Sequence, residues 1–465
     1  MSENVSRRRQ EMLLHRLDRL RAFVAAAPRD ERTAGLLDDL SALEQAVRGW
    51  KYGLVFEEYS EQLDEVLASR VPVLTEETAL AAGHGGAENL LIEGDNLAAL
   101  RLLETTHRGR VDLIYIDPPY NRGKADFVYG DDYTGEGDDF PHSRWLSFMK
   151  PRLMCARRLL SDRGLIFLSI DDNELAALRL LCDEIFGAER FINLFVWQRN
   201  SSAKTEKGKF AVNTEYVLLY AKSGEYELHP AYKPLSTASR KLFRFDDGDG
   251  RGRYQTVSLQ KPRDPGPETS YDYVDNTGRV WPCPPKGWRM KYEKLKALEN
   301  DGRLVLTGKR LRVKDYWNER ANEGRRIDTL WNDLPQNTAG SSELEAVMGR
   351  PHTFDNPKPT ELIERCLAIG APDALCLDFF AGSGTTGHAV MKLNAQDGGS
   401  RRFILCTNNE NGICREVAYE RLRRVIDREN YAARLRYYRV EYVPRGALRG
   451  IVRDGSCNVR EKRVE

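Results

Sequence analysis

The chain alternates short, continuous apolar runs with amphipathic stretches over most of its length. Asn89 to Glu93, Leu113 to Ile116, Gly164 to Ile170, Tyr216 to Lys222, Ala374 to Phe380 and Arg402 to Cys406 are such runs, each bounded by turn residues. Runs of that length without polar alternation predict strands buried on both faces of a parallel sheet. Phe191 to Gln198 alternates instead and predicts a strand with one wetter face. Between them, Trp145 to Leu160, Glu174 to Phe186, Thr360 to Leu367 and Val417 to Arg428 carry helical spacing, and further helices start at Leu97 and after Gly387. Strands interleaved with helices predict an α/β, doubly wound sheet.

Two regions interrupt that rhythm. Leu13, Leu17, Leu20 and Val24, then Leu36, Leu37, Leu40, Leu43 and Val47, recur at helical spacing on either side of a turn near Pro28 to Arg32. They predict an N-terminal helical hairpin. From about 225 to 330 the chain is richer in Gly, Pro, Trp and Tyr, with few apolar runs. There Trp281 to Arg289 reads as irregular, Tyr292 to Glu299 as a short helix, and Arg303 to Leu306 with Arg310 to Val313 as a hairpin turning at Thr307 and Gly308. The resulting expectation is a helical region 1–75, a sheet half 76–224, an inserted domain 225–330, a second sheet half 331–435 and a tail 436–465.

Composition narrows the class. At 465 residues, 41% hydrophobic and 30% charged, the chain has the profile of a soluble globular protein of several domains. A net charge of +1 means that any basic surface is local. In 225–330, Lys and Arg exceed Asp and Glu by about six, as expected of a phosphate-contacting module. Arg7, Arg8, Arg9, Arg16, Arg19 and Arg21 make the start basic, which a solvated helix face explains as simply as contact with phosphates or a partner. The eight cysteines include no C-x-x-C pair, so no zinc ribbon, redox pair or other metal site is expected. No apolar leader or long apolar stretch occurs, and a cytoplasmic protein without a membrane span is expected.

Candidate chemistry concentrates where strands end. The run Val111 to Ile116 stops abruptly at Asp117, Pro118, Pro119 and Tyr120. Neither proline has an N–H to donate and each fixes φ, so the strand must turn there. In open α/β sheets that position is where ligands bind. Asp117 and the Pro118 carbonyl present acceptors and no donor, and Tyr120 offers a flat face. The complement is a planar ring with an exocyclic amine, adenine or cytosine alike, as in flipped-base recognition. Upstream, Asp95 and Asn96 follow the strand at 89–93 and are placed to cap a helix or to hold a polar ligand. Residues 121–140 read as a long loop suited to be a lid.

A second strand end carries Asp378, Phe380, Gly382, Gly384, Thr385 and Gly387. The three glycines satisfy G-x-G-x-x-G between a strand and a helix, which by itself suits any adenosine cofactor, NAD included. His388 stands where a phosphate-binding loop would need Lys. Glu410, at the end of the next strand, is placed to bind ribose hydroxyls.

The pair of motifs, in this order and with a basic region between them, resembles the β class of DNA adenine-N6 methyltransferases. The segments Glu93 to Asn96, Ser169 to Glu174, Phe354 to Pro359 and Thr407 to Gly412 extend the likeness to the modification subunit of type III restriction systems. The resemblance covers about residues 88–430 and implies a Rossmann-like fold with circularly permuted motif order, using S-adenosylmethionine on double-stranded DNA. It implies that Asp117 and Pro118 hold the target amine, with Pro119 shaping the corner and Tyr120 stacking on the base. It further implies that Asp95, Asn96, Lys358, Asp378, Phe380, Gly382, Gly384, Thr385 and Glu410 contact the cofactor, Lys358 through its carboxylate and Glu410 through its ribose. Residues 225–330 would be the target-recognition domain. A homodimer and a helicase/nuclease restriction subunit are the partners implied; cytosine-N4 methylation and a non-catalytic DNA-specificity subunit stay open as alternatives.

Overall fold

The computed structural model describes residues 5–27, 31–49, 54–56, 59, 61–122, 141–201, 208, 210–233, 240–262, 266–307, 310–319 and 325–445. The chain divides into two compact units, Met1–His229 with Thr329–Glu465, and Pro230–Asp328. The first is built on a ten-stranded sheet. Its strands, numbered in chain order within that sheet, are β1 Arg70–Glu76, β2 Ala87–Glu93, β3 Val111–Ile116, β4 Leu160–Ile170, β5 Phe191–Gln198, β6 Thr214–Ala221, β7 Leu330–Trp331, β8 Leu375–Asp378, β9 Arg402–Thr407 and β10 Ala433–Pro444.

Their spatial order is β1, β10, β2, β9, β8, β3, β4, β6, β5, β7. The run from β10 to β4 is parallel throughout. β6 lies antiparallel between β4 and β5, and β1 antiparallel against β10. The sheet is therefore mixed, with a parallel centre. β3 and β8, the two strands carrying the candidate chemistry, are immediate neighbours. A carboxylate helps to hold them so. Asp112 on β3 accepts from the Leu375 N–H at 2.9 Å and from the Ser161 hydroxyl at 3.1 Å, joining β3 to both flanking segments.

The buried strands form as the apolar runs predict. Leu113, Ile114, Ile116, Ile166, Phe167, Leu168 and Leu377 are fully buried, covered by the helices Asn96–His107, Pro141–Leu159 and Leu175–Phe186 and by those after β7. Two expected boundaries are corrected. β1 lies inside the region read as wholly helical, because Val71, Val73 and Thr75 pair along β10. Residues 436–444 are not a tail: β10 runs to Pro444 and sits between β1 and β2. Its alternating Arg and Tyr hid it. Arg436 pairs with Glu76 and Glu88, while Leu435 and Tyr437 are fully buried.

The N-terminal hairpin forms from helices Val5–Ala25 and Glu31–Arg48, tied by Arg21 to Glu44 at 2.7 Å and to Ser41 at 2.7 Å. None of its described side chains is buried. Among the described residues no helix is long and apolar enough to cross a membrane. The seven described cysteines are free.

The second unit holds an antiparallel sheet of Leu304–Thr307, Arg310–Tyr316 and Tyr254–Ser258, with the helix Tyr292–Asn300. The expected hairpin strands are there; the turn at Gly308 lies outside the described residues. The aromatic–proline segment is not a surface platform. Trp281 and Trp288 point into a core with Leu259, Tyr273 and Leu295. The Trp288 indole N–H donates to the Tyr271 carbonyl at 2.6 Å, satisfying the one polar atom that burial would otherwise strand. Trp288→Ala is expected to destabilise this unit by about 3–5 kcal/mol, the cost of emptying an indole-sized site. A urea titration followed by tryptophan fluorescence, with proteolytic fragments mapped, would register it as cleavage confined to 230–328; an unshifted midpoint would contradict it.

Candidate active site

Asp117, Pro118, Pro119 and Tyr120 leave the end of β3 and line one cleft together with Lys358, Asp378, Phe380, Gly382 and Thr385. The cleft is open to solvent, and the space between its walls and mouth amounts to about 810 Å³. Pairing of β3 with β8 puts the two strand ends side by side, although their residues are far apart in sequence.

The proline corner is held from behind. The Trp145 indole N–H donates to the Pro119 carbonyl at 2.7 Å. Among the described residues no donor reaches the Pro118 carbonyl, and Pro118 lines the cleft. Asn121 then takes a left-handed turn, φ 57°, and its side-chain amide donates to Glu174 at 2.6 Å. Glu174 is fully buried, and burial raises its pKa despite the bonds from Asn121 and His142. The lid expected over 121–140 falls, from 123 on, outside the described residues.

Both oxygens of Asp117 are engaged. The Lys358 ammonium donates to Oδ2 at 2.8 Å and the Tyr120 hydroxyl to Oδ1 at 2.7 Å. Lys358 is buried. Burial lowers its pKa, but the charges of Asp117 and Glu215 outweigh burial and leave it above the usual lysine value. Cations also sit over the Tyr120 ring: the Arg122 guanidinium at 4.8 Å and Lys358 at 4.9 Å from its centroid. The bare carboxylate and open ring expected from sequence are thus a closed, charge-balanced cluster.

Glu215 on β6 is the residue that sequence reasoning missed. It is buried and accepts from Arg199 at 3.0 Å and Arg122 at 3.2 Å, with Lys358 at 3.5 Å and the Tyr120 hydroxyl at 3.4 Å. Burial pushes its pKa up, and the three cations more than reverse that. The one available signal was an acid immediately before the apolar run that starts at Tyr216.

On β8, Asp378 is buried and turned inward. Its Oδ1 accepts the Phe380 N–H at 2.9 Å and its Oδ2 the Thr386 hydroxyl at 2.5 Å, so it fixes the loop to the following helix. Burial raises its pKa to about 7. The folded state then keeps a proton that the unfolded chain has lost, so this group's contribution to stability falls as pH rises from about 4 to 7. Asp378→Asn is expected to remove that slope, while Asp378→Ala is expected to cost about 2–4 kcal/mol by stranding two buried donors. Thermal melts of both variants at pH 5 and pH 8 separate these outcomes; equal pH dependence in wild type and Asp378→Asn would refute the assignment.

The glycine loop is shaped by close approach. Gly384 has φ 75°, and a Cβ there would sit 3.3 Å from the Ala418 carbonyl oxygen. Gly382 has φ 47°, and a Cβ would reach 3.1 Å from the Phe354 ring, which also lines the cleft. Thr385, the first residue of the helix Thr385–Asp397, accepts from the buried Arg421 at 2.7 Å. Burial lowers Arg421 to about 10.

Three expected ligands lie elsewhere. Asp95 caps the helix Asn96–His107 by accepting the Ala98 N–H at 3.0 Å. Asn96 donates to the Phe379 carbonyl at 2.8 Å and accepts from Arg152 at 2.7 Å. Asn96 thereby joins the two halves of the sheet unit, and neither residue lines the cleft. Glu410 is exposed on a short turn after β9 and is also absent from the lining.

Residues 111–419 match the DNA methylase family model. The chain belongs to the DNA methylase family. It is 34% identical to the type III restriction-modification enzyme StyLTI Mod subunit of Salmonella typhimurium, over 81% of this chain and 62% of that one. It is 36% identical to the type II methyltransferase M.KpnI of Klebsiella pneumoniae, over 70% of this chain and 82% of that one. Among solved structures, the M1.HpyAVI–SAM complex aligns with 72% of this chain and 99% of its own, at 13% identity and a TM-score of 0.37. This DNA methylase spans about three fifths of the length of the StyLTI subunit.

Proposed function

We propose that this chain is a site-specific DNA methyltransferase acting on the N6 amine of a flipped-out adenine, with S-adenosylmethionine as methyl donor. The observation that carries the reading is the acceptor pair at the end of β3: Asp117, and a Pro118 carbonyl that no described residue satisfies. Asp117 and Pro118 line the same cleft as the glycine loop. Likeness to type III Mod subunits and type II methyltransferases supports it.

The cleft residues fit the donor. Phe354 and Phe380 give apolar ring faces, Gly382 leaves room that a Cβ would fill, and the helix beginning at Thr385 opens onto the lining. When bound, S-adenosylmethionine supplies an electrophilic methyl group. Phe354, Phe380, Gly382 and Thr385 would hold it, with Gly384 shaping the loop and Asp378 holding the loop rigid. Asp95, Asn96 and Glu410 have structural or exposed positions and take no part in this reading.

The chain's own residues act on the amine. An exocyclic amine is a poor nucleophile because its lone pair is delocalised into the ring. Asp117 and the Pro118 carbonyl each accept one N–H, which favours a pyramidal nitrogen with its lone pair aimed away from both. Pro119, fixed by Trp145, keeps the two acceptors in place, and most of the rate gain is positioning. The unit 230–328 would contact DNA through its Lys and Arg side chains, since Trp281 and Trp288 are consumed in its core. A homodimer and a restriction subunit are the partners proposed by likeness to the type III Mod subunits.

The test is expression in a methylation-free host followed by sequencing of its DNA for modified bases. Methyl groups on adenine N6 at one recurring sequence are expected. Methyl groups on cytosine N4 would replace the substrate, and unmodified DNA would overturn the reading.

A further inference from the structure

Two donors at the catalytic corner, Lys358 and Tyr120, each have two acceptors within reach. The Lys358 ammonium lies 2.8 Å from Asp117 Oδ2 and 3.5 Å from Glu215 Oε2. The Tyr120 hydroxyl lies 2.7 Å from Asp117 Oδ1 and 3.4 Å from the same Glu215 Oε2. Glu215 is anchored on its other oxygen, Oε1, by Arg199 at 3.0 Å and Arg122 at 3.2 Å. Its Oε2 therefore faces two donors that both sit nearer to Asp117. Each oxygen of Asp117 already accepts one short bond, so an amine that docks along either of those directions takes the place of Lys358, Tyr120 or both. A displaced buried donor with nowhere to go would cost as much as the new bond yields.

We propose that Glu215 is a positioning residue that receives Lys358 and Tyr120 when a planar amine takes their place on Asp117. The inference rests on the methyltransferase reading above. The move is short, because one oxygen already faces both donors. It conserves hydrogen bonds and charge: two donors leave one carboxylate for another, and the amine fills the vacated acceptor. Arg122 and Arg199 keep Glu215 in place and anionic throughout. The empty corner thus keeps both donors on Asp117 and releases them to a ligand that brings its own N–H donors.

The experiment compares wild type, Glu215→Gln, Tyr120→Phe and the double variant in steady-state methyl transfer to a DNA carrying the methylated site. Glu215→Gln keeps size and one acceptor but removes the charge that Lys358 needs. We expect a fall in kcat of on the order of 10–100-fold with affinity for S-adenosylmethionine little changed. Because Glu215 acts partly through Tyr120, the double variant should lose less than the product of the two single losses. A kcat within about twofold of wild type, or losses that multiply, would overturn the proposal. If wild type transfers no methyl to any DNA, the methyltransferase reading fails by itself. Crystals soaked with 9-methyladenine then decide the exchange. Lys358 and Tyr120 bonded to Glu215 support it; a ring bound with both donors still on Asp117, or no bound ring, overturns it.

Discussion

Asp117→Ala is expected to lower methyl transfer by on the order of 10²–10³-fold while affinity for S-adenosylmethionine stays close to wild type. The carboxylate is one of only two acceptors offered to the amine, and the other, the Pro118 carbonyl, cannot by itself turn the nitrogen lone pair. Its removal also frees Lys358, which still has Glu215 at 3.5 Å and so stays in place as a buried cation. The fold is therefore expected to survive, and the loss to fall on kcat. Asp117→Asn sharpens the experiment, since it keeps one acceptor oxygen but replaces the partner of Lys358 with a donor. A single-turnover assay with labelled methyl donor measures both variants. Transfer by Asp117→Ala at the wild-type rate would remove Asp117 from the mechanism.

Lys358→Met is expected to cost about 3–5 kcal/mol of folding stability, the usual consequence of deleting one partner of a buried ion pair. Asp117 would lose its shortest ionic contact, while Glu215 would keep Arg122 and Arg199. The loss should therefore sit at the low end of that range, and Lys358→Met combined with Asp117→Ala should recover part of it. Urea denaturation of the single and double variants gives the coupling directly. Additive losses would mean that Lys358 and Asp117 do not sense one another.

Much of the sheet unit was legible along the chain. Leu113 to Ile116 and Leu375 to Asp378 are apolar runs with no polar alternation, and both become buried parallel strands because nothing else can satisfy such runs. Two prolines after Asp117 ended β3 where the structure ends it, since neither can donate to a neighbour. β10 was illegible for the opposite reason. Its Arg residues alternate with Tyr and Leu, and their partners Glu76 and Glu88 come from distant segments. Trp281 and Trp288 read only as part of an irregular segment, because the prolines between them break any period; the fold of 230–328 turns both into its core.

The sequence by itself determined which groups stand at the ends of β3 and β8. Local bonding decides that: prolines stop a strand, and glycine adopts φ of 47° at Gly382 and 75° at Gly384 with a neighbour pressed close and no Cβ to clash. It also determined the likeness to DNA methylases, which rests on motif order. Only the tertiary structure decided what those groups do to one another. Lys358, read as a ligand for the cofactor, is the counter-ion of Asp117. Asp95 and Asn96, read with it, close a helix and bridge the two halves of the sheet unit. Glu215, read as nothing, joins Lys358, Arg122, Arg199 and Tyr120 around one buried carboxylate. Charge pairing depends on distance through space, and in the low-dielectric interior a few ångströms decide which partner wins. No spacing along a chain encodes that distance until the sheet brings β3, β6 and the segment before Thr360 together.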